Sequence, residues 1–147
     1  VVFMLLLPFF FKRYGFKNTL LVGMLAWLLR YLLFAWGNSG DLYFMLLVGI
    51  ALHGICYDFF FVSGQIYTDS KAGEKYKSSA QGLITLATYG IGMLAGFWIA
   101  GKITDNFAIT ETEHLWDKIW IYPAIFASIV FVLFAVLFKN EEVEYKK

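Results

Sequence analysis

Residues 78–101 read SSAQGLITLATYGIGMLAGFWIAG and contain no charged side chain. An α-helix rises 1.5 Å per residue, so about 20 mostly apolar residues are needed to cross about 30 Å of hydrocarbon. The stretch has that length and is continuously apolar, whereas a strand of a membrane β-barrel alternates in polarity over about 10 residues. The stretch therefore predicts a transmembrane helix.

The whole composition points to the same solvent. Of the 147 residues, 60% are hydrophobic and 16% are charged, against about 45–50% and about 25% in soluble domains. Twelve Lys and Arg against eleven Asp and Glu give a net charge of +1, which supplies no basic field for nucleic acid. The single cysteine, Cys56, and the lack of clustered His and Cys predict no disulfide, metal or cofactor.

Four further apolar stretches flank residues 78–101, and together they predict an all-α, polytopic transmembrane helical bundle. The expected spans are residues 1–11, 18–36, 42–67, 78–101 and 119–138. Because the first is only half a span long, we expect it to be the end of a helix that begins before Val1. The chain is thus expected to be a partial transmembrane domain.

The loops between these spans differ in charge from one side to the other. Nine basic residues fall on one side, namely Lys12, Arg13, Lys17, Lys71, Lys75, Lys77, Lys139, Lys146 and Lys147. The opposite side holds the short turn 37–41 and the loop 102–118, in which acids outnumber the two lysines. Basic loops stay in the cytoplasm, so the sequence predicts a cytoplasmic C-terminus.

Asp58 lies inside the third predicted span. An acid near the bilayer centre costs about 2.5–3.5 kcal/mol and usually faces a cavity that serves an ion or proton pathway. Because burial disfavours the charged form of a carboxyl group, Asp58 could take up and release a proton as access alternates. The structural alternative is a hydrogen bond from a neutral Asp58 that locks two helices together.

His53 and Tyr57 are four residues apart and are expected to project from one face of the same helix. Helical spacing also predicts that Phe61 and Gln65 continue the face of Asp58. An aromatic wall with one carboxylate suits a flat, polar solute that can stack and form hydrogen bonds. Packing roles for His53 and Tyr57 remain open alternatives.

Arg30 is the other charged residue within a predicted span. Counted from the outer helix ends, Arg30 and Asp58 differ in depth by about 16 Å, so no direct salt bridge is expected. We expect Arg30 to extend toward the outer surface or to pair with a group outside this chain. His53 and Cys56 have no orienting acid or oxyanion donors on their face, so the sequence does not predict an enzyme.

Several motifs resemble known membrane carriers. Residues 11–17, FKRYGFK, resemble the second, degenerate copy of the cytoplasmic loop motif of the major facilitator superfamily, with Lys12 at the position of the motif's acid. Residues 26–31 (AWLLRY), 53–64 (HGICYDFFFVSG) and 79–82 (SAQG) are similar to the nucleoside:proton symporter family within that superfamily.

This resemblance implies a place in a twelve-helix carrier, with the chain forming the end of helix 8 and helices 9 to 12. It implies that Asp58 is the proton-linked acid, that Tyr57 is an aromatic substrate contact and that His53 is a polar or stacking contact. The implied partners are a nucleoside, protons, the lipid bilayer of the inner cell membrane and the missing N-terminal half. The chain alone is not expected to transport.

Two other functions remain open at the level of the residues. A carrier for sugars or other small polar metabolites would also need a ring-stacking site with one acid. A non-transporting assembly or receptor subunit would use Asp58 only to hold helices together.

Overall fold

The computed structural model of the protein describes residues 2–110 and 113–139. Val1, Glu111, Thr112 and the end of the chain lie outside the described residues, and with them the predicted cytoplasmic residues Lys146 and Lys147. Every regular element in the described part is helical, apart from one isolated bridge between Ala108 and His114.

The helices follow one another with few interruptions. They are α1 (Val2–Trp36), α2 (Tyr43–Cys56), a first π-helical segment (Tyr57–Val62), α3 (Ser63–Thr85), a second π-helical segment (Leu86–Gly92), α4 (Met93–Asn106) and α5 (Trp116–Leu137). By length and composition, three helical runs in the described residues could cross a membrane, namely Phe3–Trp36, Tyr43–Asn106 and Trp116–Leu137.

Two glycines break the longer runs. Gly15 within α1 has φ 75° and ψ 171°, and Gly73 within α3 has φ 66° and ψ 160°. Only glycine adopts this region of backbone space readily. Gly15 lies between the first and second predicted spans, and Gly73 lies between the third and fourth. Each run thus consists of two helices that meet at a glycine.

The chain divides into two compact units, one formed by Gln65–Leu115 and the other by the described residues on either side of it. In the latter unit, α1 packs against α2, the first π-helical segment and α5. Its core is mostly apolar, and the buried apolar residues include Leu7, Phe11, Phe16, Leu20, Met24, Ala35, Cys56 and Phe59.

Helices α1 and α2 run antiparallel and approach closely through glycines. A Cβ atom on Gly49 would lie 2.5 Å from Phe34 Cε1, and one on Gly37 would lie 2.6 Å from Leu46 Cδ2. The glycines therefore admit the side chains of the opposite helix into van der Waals contact. In the turn between the helices, Asn38 Oδ1 accepts hydrogen bonds from the backbone N–H groups of Gly40 (2.9 Å) and Leu42 (3.2 Å).

Helix α5 packs on the other side of α1. Near one end of the contact, Trp120 stacks with Tyr31 at a centroid distance of 6.0 Å and tilts against Phe34 at 4.9 Å. Near the other end, Lys17 Nζ donates a hydrogen bond to the carbonyl oxygen of Ala135 at 2.7 Å. A cation at the last turn of a helix is favourable because the helix dipole places negative charge there.

In the unit Gln65–Leu115, Gln81 Nε2 donates to the carbonyl oxygen of Gln65 at 2.8 Å. Lys77 Nζ lies 3.0 Å from Glu74 Oε1 and 3.4 Å from Asp69 Oδ2. Hydrogen bonds from Lys77 to Glu74 and then Asp69 raise its pKa. Large apolar side chains of this unit are exposed, among them Leu83, Leu94, Phe97 and Trp98, as expected where lipid or another protein segment is the neighbour.

Candidate functional site

The site residues lie where α2 changes into the first π-helical segment. Within Tyr57–Val62 the turns are wider than in an α-helix, because backbone hydrogen bonds join residues five apart. Ser63, which is fully buried, closes the segment by donating both its backbone N–H and its Oγ–H (3.3 Å) to the carbonyl oxygen of Asp58. Such single π-helical turns occur frequently at functional sites. Sequence reasoning did not anticipate this one.

Asp58 is buried in this segment, with 8% of its surface exposed. Among the described residues, its carboxylate accepts no hydrogen bond and forms no ion pair. In particular, no salt bridge joins Asp58 to Arg30 within the described part of the chain. The carboxyl group is thus buried without a hydrogen-bonding or ionic partner among the described residues.

His53, Tyr57 and Phe61 form a column of rings along one face. The centroids of His53 and Tyr57 are 6.3 Å apart, and those of Tyr57 and Phe61 are 5.5 Å apart. Phe61 thus joins this column four residues after Tyr57, and its expected place on the face of Asp58 stays a prediction. Both His53 and Tyr57 are exposed, Tyr57 to 42%.

Trp27 of α1 packs next to this column of rings. Its ring lies 5.3 Å from that of Phe61 and 5.4 Å from that of Phe60, in both cases edge to face. Sequence reasoning did not select Trp27. A signal was present, however, since Trp27, Arg30 and Tyr31 are spaced i, i+3 and i+4 and share one helical face.

Arg30 has a partner within the chain that the sequence did not predict. Its Nη1 lies 2.9 Å from Nδ1 of His53, and its guanidinium lies over the Phe34 ring at 5.2 Å from the centroid. The antiparallel register explains the pairing. The Phe34 ring packs directly against Gly49. Arg30 lies one turn before Phe34 and His53 lies one turn after Gly49, so the two residues are level in an antiparallel pair of helices.

Gly23 brings α1 directly against the segment that carries Asp58. A Cβ atom on Gly23 would lie 2.9 Å from both the carbonyl carbon of Phe59 and the backbone nitrogen of Phe60. The ring of Phe59 also packs edge to face against the ring of Phe10 of α1, with the two centroids 4.8 Å apart. Backbone contact and ring packing therefore hold the π-helical segment in place next to α1.

The arrangement offers binding chemistry. Exposed rings present flat faces on which a planar solute can stack, and His53 and Tyr57 add hydrogen-bonding atoms. Cys56, the nearest nucleophile in the chain, is fully buried and cannot reach a solute at this wall. Of the site residues expected from the sequence, His53 and Tyr57 are exposed, and Asp58, directly after Tyr57, is buried.

Comparison with known proteins gives a consistent set of relatives. The family model described as nucleoside H⁺ symporter matches residues 1–143. Over 98% of its length, the chain is 40% identical to YegT of Escherichia coli K12, which is provisionally named as a nucleoside transporter. It is 32% identical to the nucleoside permease NupG over 97% of the chain and 34% identical to xanthosine permease over 95%, both from the same organism.

Solved structures agree. The crystal structure of the nucleoside transporter NupG matches with a TM-score of 0.84 at 29% identity over 95% of the chain, and that of an aspartate-to-alanine mutant matches with 0.85 over 94%. The predicted helical transmembrane fold is thereby confirmed. The chain spans about a third of the length of these relatives, 36% of YegT and 34% of the NupG sequence.

Proposed function

Because the chain belongs to the nucleoside H⁺ symporter family, we propose that it forms part of a carrier that moves nucleosides across the cell membrane together with protons. The relatives are named as nucleoside transporters and permeases, and the family name supplies the proton. The partners are therefore a nucleoside, protons and the bilayer.

In this proposal the five predicted spans are the end of helix 8 and helices 9 to 12 of a twelve-helix carrier. The other half of the same carrier faces them across a site near the midplane, and rocking of the two halves alternates access to that site. The basic loops, which include Lys12, Arg13 and Lys77, and the C-terminus face the cytoplasm, and the membrane is the inner one. The chain needs the other half in order to transport.

The observation that carries the proposal is the adjacency of an exposed ring and a buried acid. Tyr57, exposed to 42%, is followed directly by Asp58, exposed to 8%. A nucleobase that stacks on Tyr57 and contacts His53 lies one residue away from the group that changes charge. Substrate binding and protonation can then influence each other through a single helical turn.

Asp58 acts as the proton-linked acid in this scheme. Protonation from the outer, proton-rich side removes a buried negative charge, and loss of the proton to the cytoplasm restores it. We assume that the loaded carrier can switch between its outward-open and inward-open states only when Asp58 is neutral. Each nucleoside that enters is then accompanied by a proton, and the proton gradient drives nucleoside accumulation. An inward pH gradient of one unit can drive about tenfold accumulation per coupled proton.

The full-length parent carrier, reconstituted in liposomes, tests the proposal by uptake of radiolabelled uridine and adenosine. We expect uptake above equilibrium with an inward proton gradient and none above equilibrium when a protonophore dissipates that gradient. Unlabelled nucleosides should compete, whereas ribose and other sugars should not. Uptake that is the same with and without the proton gradient would exclude proton coupling. Competition by sugars but not by nucleosides would indicate a sugar carrier.

A further inference from the structure

Arg30 and His53 form a hydrogen bond whose direction is set by chemistry. The Arg30 Nη1 to His53 Nδ1 distance is 2.9 Å. A guanidinium has five N–H donors, no acceptor and a permanent charge, whereas a neutral imidazole carries one donor and one acceptor nitrogen. Nδ1 must therefore be the acceptor, so the hydrogen of the neutral ring is on Nε2. A doubly protonated His53 could not accept this bond and would place two cations side by side.

The guanidinium is held on more than one side. It lies over the ring of Phe34 at 5.2 Å from the centroid, and Phe34 is itself packed against Trp120 of α5 at 4.9 Å and against Gly49 of α2. Arg30 Nε is buried and has no hydrogen-bond partner among the described residues. A buried donor without a partner is costly, so the position of this guanidinium is not explained by hydrogen bonding at Nε.

His53 shares the exposed ring column with Tyr57. The nitrogen not used by Arg30 is Nε2, whose hydrogen is available to a solute at this column. An Nε2–H group donates to an acceptor atom, such as a carbonyl oxygen or unprotonated ring nitrogen of a nucleobase or an oxygen of ribose. An imidazole left unrestrained would instead sample both tautomers and could offer an acceptor to the same solute.

We propose that Arg30 is a positioning residue that acts through His53, fixing it in the Nε2–H tautomer so that the nucleoside site presents a hydrogen-bond donor at this point. The inference rests on the proposed function for the identity of the solute, but the tautomer itself does not depend on it. Arg30 favours solutes that bring an acceptor to His53, and it acts without touching them.

A double-mutant cycle in the full-length carrier tests the positioning role. Arg30→Met removes the donor, and His53→Phe keeps a ring without nitrogens. His53→Phe should weaken nucleoside binding about tenfold because it removes the donor, and Arg30→Met should weaken it about three- to fivefold because it frees both the tautomer and the orientation of the ring. Arg30→Met should have an effect of less than about twofold in the His53→Phe background, because a residue that acts only through His53 has nothing left to orient.

Arg13→Met is the matched control, since Arg13 is the other arginine of the chain and is exposed in the loop near Gly15. It should leave nucleoside binding unchanged. If Arg30→Met and His53→Phe weaken binding by independent factors that multiply in the double mutant, Arg30 contacts the substrate or supports the fold directly, and the positioning role is wrong.

Nitrogen chemical shifts of ¹⁵N-histidine in the carrier give a second readout that does not depend on binding, and the His53→Phe variant assigns the signal. We expect His53 Nδ1 to be unprotonated and Nε2 protonated without substrate, and the Arg30→Met carrier to show a mixture of tautomers. A wild-type His53 that carries its hydrogen on Nδ1 would overturn the inference. Failure of the wild type to bind nucleosides, with this tautomer present, would overturn only the proposed function.

Discussion

The candidate site combines one buried acid, Asp58, with the exposed rings of His53 and Tyr57. Asp58 is buried and its carboxylate has no hydrogen bond or ion pair among the described residues, while Tyr57 directly before it and His53 one turn earlier are exposed. A buried carboxyl group is costly when charged, whereas exposed rings can bind a planar solute in either state of the acid. Protonation and stacking are therefore expected to be separable by mutation.

Asp58→Asn should separate them. Asparagine has nearly the same shape as a protonated aspartate but cannot release a proton. We expect the reconstituted variant to bind nucleosides within about threefold of the wild type while its accumulation ratio falls to about 1, since no proton gradient is converted. Binding is measured by calorimetry and accumulation by radiolabelled uptake.

Tyr57→Leu is the comparison for Asp58→Asn, because it removes the ring and keeps the acid. It should weaken binding by about tenfold or more while the remaining uptake still depends on the gradient. An Asp58→Asn carrier that continues to concentrate nucleosides would remove Asp58 from the coupling role.

The helix pair α1 and α2 shows how far the sequence could predict this site and where it could not. Spacing of four residues correctly predicted that His53 and Tyr57 share a face, since that part of the chain is α-helical. The hydrophobic pattern carries no signal for the π-helical segment that begins at Tyr57, so the sequence did not predict that segment.

The partner of Arg30 was missed for a different reason. Depths counted from helix ends assume that neighbouring helices end level, but Gly37, just past the end of α1, lies beside Leu46, inside α2. This stagger depends on which side chains fit against which glycines. It becomes visible only when the two helices are packed together, and it places Arg30 level with His53.

The close approach at Gly23 yields a prediction for this pair of elements. Gly23→Ala would place a methyl group 2.9 Å from backbone atoms of Phe59 and Phe60, so α1 and the π-helical segment must move apart. We expect a loss of about 1–3 kcal/mol in stability, as for other overpacked sites, and a lower Tm of the intact carrier in detergent. Transport should fall because the segment that carries Asp58 is displaced.

Gly101→Ala provides the control for Gly23→Ala. An added Cβ there meets nothing within 4 Å, and alanine is favoured over glycine in a helix by about 0.5–1 kcal/mol. The Tm of this variant should be unchanged or slightly raised. Equal Tm values for the two variants would mean that the backbone contact at Gly23 does not constrain the π-helical segment.

The loop charges predict the orientation of the whole molecule in the membrane, and this prediction is open to a direct test. In a carrier whose other cysteines, including the buried Cys56, are replaced by alanine, single cysteines at Lys75 and Asp105 should label from opposite sides. We expect a membrane-impermeant maleimide added to intact cells to label the Asp105→Cys variant, and the Lys75→Cys variant only after permeabilisation. The reverse pattern would place the basic loops and the C-terminus outside.

If the whole carrier works as proposed, a nucleoside and a proton cross the membrane together. The most direct measurement is the lumenal pH of liposomes that contain the full-length carrier and a trapped pH-sensitive dye, with no gradient imposed and potassium with valinomycin present to clamp the membrane potential. Adding uridine outside should acidify the lumen as the nucleoside enters, and the Asp58→Asn carrier should give no acidification. Entry of labelled uridine into wild-type liposomes at constant lumenal pH would contradict proton-coupled nucleoside transport.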